Sequence, residues 1–74
     1  MDRATQKLLI LAHLMLEGPA TTWELMTKYH IGRVASRVFD LRKDGYPIQT
    51  TMIHSRDEDG TPVQYALYSL PQEG

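Results

Sequence analysis

The chain predicts an α+β fold, three helices followed by a β-hairpin, on three observations. Apolar residues recur at helical spacing through residues 8–16 and again through 34–41. Gly18-Pro19, the run His30-Ile31-Gly32 and the pair Asp44-Gly45 divide this helical part into three pieces. Beyond Pro47 the pattern becomes β-prone, in two segments separated by a polar stretch that contains an Asp-Gly turn signal.

The first helix is expected over about 4–17. Leu8, Leu11, Ala12 and Met15 follow the i, i+3, i+4, i+7 rule, and Gly18-Pro19 stops the helix. Leu9, Ile10, Leu14 and Leu16 widen the apolar stripe until only Gln6, His13 and Glu17 remain as a narrow polar strip. A helix this apolar needs cover on several sides, supplied either by the rest of a small domain or by a second copy of the chain. Thr21-Thr22-Trp23-Glu24 has the form of a capping box, so Thr21 should start a second, short helix over about 22–29, with Trp23, Leu25 and Met26 buried. In the turn that follows, Gly32 is expected to take the unusual backbone conformation and Ile31 to plug the core.

The third helix is expected over about 33–44, with Val34, Val38 and Leu41 inward, Arg33, Ser36, Arg37 and Asp40 outward, and Asp44-Gly45 as its C-terminal stop. The hairpin occupies about 48–70, with β-prone segments at 48–54 and 63–70. Tyr65 and Tyr68 alternate on the second segment, so one should pack inward and the other face out.

At 74 residues the chain reads as a single domain, 1–74, with one small core and no room for a two-lobed catalytic cleft. Ser36, Ser55 and Ser69 lack a nucleophile-elbow context and no carboxylates are paired for acid-base work, so no enzyme is expected. The absence of cysteine excludes disulfides and thiolate zinc sites, and His13, His30 and His54 lack the spacing of metal ligands; no cofactor, metal or small-molecule ligand is expected. The apolar run at 8–16 is interrupted by His13 and too short to span a bilayer, which points to a cytoplasmic protein without a membrane partner. Net charge is −1, yet it is polarised: over 33–43 Arg33, Arg37, Arg42 and Lys43 oppose only Asp40, while Asp57, Glu58 and Asp59 cluster elsewhere.

The order helix, short helix, turn, helix, hairpin resembles the winged helix-turn-helix domain over nearly the whole chain. The stretch from Arg37 through Val38, Phe39, Leu41, Arg42 and Gly45 to Ile48 is similar to the phrase leading from recognition helix to wing in small bacterial and phage proteins of this kind. The resemblance implies binding of double-stranded DNA, with the third helix in the major groove and the wing beside the backbone. On that reading Arg33, Ser36 and Arg37 are base readers, Lys43 and Thr22 meet phosphate, and Arg56 on the wing is a further phosphate candidate. The function implied is transcription regulation or an accessory role; the wide apolar arc of the first helix separately points to a homodimer through that helix. The acidic wing tip departs from the pattern, because phosphates repel it. The alternative is a protein-protein interaction module on the same scaffold. The two differ in whether the outer surface of the third helix stays positive or is neutralised by Asp40 and Asp44.

Overall fold

A computed structural model describes residues 2–71 as α1 (Arg3–Leu16), β1 (Ala20–Thr21), α2 (Thr22–Tyr29), α3 (Val34–Lys43), β2 (Gln49–Arg56) and β3 (Pro62–Ser69). The starts of α1 and α2 each have a local chemical cause, whereas α3 begins after Arg33 without a side-chain cap. Asp2 caps α1 by accepting from the Thr5 amide at 2.8 Å. Thr21 caps α2 in a full capping box, with Thr21 Oγ1 accepting from the Glu24 amide and Glu24 accepting from the Thr21 amide. Gly18 and Gly45, both at positive φ, follow the ends of α1 and α3, where a Cβ would be strained.

The turn between α2 and α3 differs from expectation in one respect. His30, not Gly32, takes the left-handed conformation, at φ 56°. It caps α2, its amide and that of Ile31 both donating to the Met26 carbonyl. Ile31 is fully buried, as its place between two helices demands.

The core gathers Ile10, Leu11 and Leu14 of α1, Leu25 of α2, Val34, Val38 and Leu41 of α3, and Ala20, Ile31, Ile48 and Tyr68. Two helical faces are therefore rotated from the sequence expectation. In α1 the core side is Ile10, Leu11 and Leu14, while Leu8, Ala12, Met15 and Leu16 form an exposed line. In α2 only Leu25 is fully buried; Trp23, expected in the core, is 69% exposed because it lies two residues before Leu25 and hence on the other side of the helix.

His13 corrects the polar-strip reading. It is buried, with Nδ1 2.7 Å from the Tyr29 hydroxyl. That hydroxyl lies 3.3 Å from Glu17 Oε2, so His13, Tyr29 and Glu17 form one polar cluster. Lys28 grips both Glu17 oxygens at 2.9 and 3.1 Å and holds the Glu17 carboxyl below its usual pKa. The cluster ties the end of α1 to the end of α2.

The sheet has three antiparallel strands in the order β1-β3-β2. β2 and β3 pair in full register from Gln49↔Ser69 to Arg56↔Pro62, so the hairpin loop is shorter than the sequence suggests: Ser55, Arg56 and Pro62 belong to the strands. β1 is the unanticipated element, pairing Ala20 with Tyr68 and Thr21 with Leu67. Tyr68 is buried and Tyr65 exposed, as the alternation requires. Away from the core the hairpin projects with both strands largely exposed.

Candidate nucleic-acid interface

α3 is held by its buried line of Val34, Val38 and Leu41, and the side opposite that line decides what it presents. Phe39 and Lys43, one turn apart, are exposed there, with Ser36 half-buried beside them, and Ala35 is exposed at the edge of this side one turn before Phe39. The Lys43 ammonium lies 5.7 Å from the centre of the Phe39 ring. Arg33, the residue immediately before the helix, is exposed and has no ion pair among the described residues. At about 1.5 Å per residue Arg33 and Lys43 stand roughly 15 Å apart along the axis, enough to bracket a major groove about 12 Å wide.

Arg37, expected as the central base reader, is only 8% exposed. It falls three residues after Val34 and four before Leu41, at the border of the buried stripe. Its Nε sits 3.4 Å from Asp40 Oδ2, a pairing of charges without hydrogen-bond geometry, both atoms being buried. Packing and pairing therefore occupy Arg37 in this structure. Arg33, Ser36 and Arg37 do come together, lining with Arg3, Phe39 and Asp40 a shallow open depression of about 410 Å³. Lys43, Thr22 and Arg56 lie outside it.

Thr22 is half-buried at the first position of α2. Arg56 is exposed on the wing but turned back on its own loop, with Nη1 donating to the Gly60 carbonyl at 2.8 Å. Arg42 is committed to the joint between α3 and β2, donating from Nε to the Ile48 carbonyl at 2.8 Å and from its guanidinium to Thr50 Oγ1.

Two residues of α1 complete the surface and were not legible in the sequence. Arg3 reaches within 3.9 Å of Asp40 Oδ2, and Lys7 pairs with Asp44. Both carboxylates of the α3 segment are thus met by cations from α1, and Arg33 and Lys43 have no ion pair among the described residues. Only long-range packing brings these pairs together, so no local spacing signals them.

The wing tip is ordered by one of its acids. Asp57 Oδ1 accepts from the Asp59 and Thr61 amides at 2.9 and 3.0 Å, and Gly60 turns at φ 81°. Glu58 and Asp59 make no such side-chain bond. Replacing Glu58 with Gln and Asp59 with Asn is expected to strengthen non-specific duplex binding at low salt while leaving the loop intact, with the gain fading as salt rises. Titration against a random duplex at several salt concentrations reads this; weaker binding in the double variant would mean that the acids make a needed contact.

Among the described residues, no group of three or more histidine, aspartate and glutamate side chains is placed to hold a metal ion, and no helix is long and apolar enough to cross a membrane. Three helices, a short turn that sets α3 outward and a projecting hairpin together define a winged helix-turn-helix domain, a fold that in general binds DNA. The chain belongs to that family: the family model described as winged helix-turn-helix domain matches residues 5–73. No curated protein sequence matches it significantly.

Proposed function

We propose that the chain is a sequence-specific DNA-binding protein of bacterial or phage type, a cytoplasmic transcription regulator or accessory factor without catalytic chemistry, with α3 in the major groove. The observation that carries the reading is the charge on α3. Asp40 and Asp44 are matched by Arg3 and Lys7 of α1, so the outer surface keeps the positive charge of Arg33 and Lys43. A protein-binding module would be favoured by the reverse, a helix surface neutralised by its own acids. On this reading Arg33 and Lys43 meet phosphates, while Ser36 faces base edges between them.

Selection from a random duplex library, followed by binding at two salt concentrations, tests the proposal. A consensus should emerge, and affinity should fall as salt rises. A chain that retains no duplex at low salt would leave the protein-interaction reading in its place.

A homodimer through α1 has a specific observation in its favour. Ile10 and Leu14 belong to the monomer core, but Leu8, Ala12 and Leu16 share one exposed line and Leu16 is 83% exposed. A two-fold dimer would double the readout and require half-sites about one helical turn apart. Light scattering at micromolar concentration should give twice the 8.5 kDa chain mass, returning to the monomer value in Leu16→Lys. A mass of one chain throughout would remove the stable dimer.

A further inference from the structure

We propose that Phe39, supported by Ala35, selects thymine in the bound duplex by packing against its 5-methyl group. The inference rests on the reading of α3 as the major-groove helix and adds to it the residue that sets base preference.

Phe39 is 60% exposed in the middle of α3, five residues after Val34 and so across the helix from the buried line. It takes no part in the core. An exposed phenyl ring leaves a large apolar area in water, and covering that area is favourable in proportion to its size. What surrounds it narrows the choice of cover. Arg33 stands at the start of the helix and Lys43 one turn beyond the ring, its ammonium 5.7 Å from the ring centre. The apolar patch is thus framed by two cations that form no ion pair among the described residues. A matching surface needs an apolar spot between negative charges. The major groove offers that: phosphates on either side and, among the base edges, a single apolar group, the thymine methyl.

Hydrogen bonding does not provide an alternative at this place. Neither Phe39 nor Ala35 carries a side-chain donor or acceptor, so this part of the outer face has no polar means of reading a base edge. Polar readout is left to Ser36 and Arg33 beside the ring. The buried position of Arg37 reinforces the point, because the arginine that sequence reasoning placed at the centre is turned towards Asp40 and the phenyl ring takes the outward position.

The test compares thymine with uracil, which keeps the same pairing edge and O4 acceptor but lacks the methyl. Each thymine of a duplex selected by the parent chain is replaced in turn by deoxyuridine, and affinities are measured for the parent and for Phe39→Ala. At one or two positions the parent should lose about threefold to fivefold in affinity, the worth of one buried methyl. Phe39→Ala should bind thymine and uracil duplexes alike at those positions, with an unchanged salt slope because Arg33 and Lys43 are intact. Its circular dichroism and thermal midpoint should match the parent, since the ring lies outside the core. A parent that binds the selected duplex but ignores every uracil substitution overturns the inference and leaves the DNA reading standing. A uracil penalty that persists in Phe39→Ala also overturns it, by assigning the methyl contact to another residue. Failure of the parent to bind any duplex at low salt removes both, and assigns the exposed ring to a different kind of partner.

Discussion

Replacing Arg33 and Lys43 together with alanine is expected to weaken duplex binding about tenfold or more at low salt and to reduce the slope of log affinity against log salt by roughly 2. The two cations stand at opposite ends of the outer face of α3 and neither forms an ion pair among the described residues. Each phosphate they neutralise releases condensed counterions, so the slope counts contacts independently of sequence preference. The loss should therefore be similar on selected and random duplexes. The comparison is sharpest beside Arg42, whose guanidinium is bound to Ile48 and Thr50 within the chain. Arg42→Ala should lower thermal stability and change the slope much less. An unchanged slope in the Arg33 and Lys43 variant, with the fold intact, would show that α3 does not meet the phosphate backbone.

Ile31→Ala is expected to cost about 2–5 kcal/mol of stability. Ile31 sits in the turn between α2 and α3, fully buried, and fills the space between them. Truncation removes apolar contact and leaves a cavity that the helices on either side can close only by shifting. A domain this small has no more than about 5 kcal/mol to lose, so much of the chain should be unfolded at room temperature. Chemical denaturation followed by circular dichroism reads the change. A loss below about 1 kcal/mol would show that the turn can collapse onto the core, and that the placement of α3 does not depend on this side chain.

The candidate site was only partly visible in the sequence. The existence of an outward face on α3 followed from Val34, Val38 and Leu41, and the same wheel puts Phe39 across from them and Arg37 beside them. Charge drew attention to Arg37, although its position three residues from Val34 and four from Leu41 already placed it near the core. The signal for Phe39 lay in its place five residues after Val34, across α3 from the buried line. Arg3 and Lys7 gave no signal, because their partners Asp40 and Asp44 are distant along the chain and meet them only through the docking of α1 on α3.

The features that the amino-acid sequence determined by itself are those governed by a few consecutive residues. These are the order of the three helices and the hairpin, the Thr21 capping box, the stop after Asp44 and the Asp59-Gly60 turn of the hairpin, where side chains and backbone amides meet within four or five positions. Tertiary structure decided the rest. Periodicity states that α1 has a buried side, but a helix apolar nearly all round can be rotated with little change in its own energy, and packing against α2, α3 and the sheet chose Ile10, Leu11 and Leu14 over Leu8 and Met15. The same packing drew His13 inward to Tyr29 and paired two residues, Ala20 and Thr21, with β3 as a strand too short to show any pattern. It also set the cations of α1 against the acids of α3. The charge that α3 offers to a partner is a property of two helices together, because an ion pair depends on distance in space and the sequence records only distance along the chain.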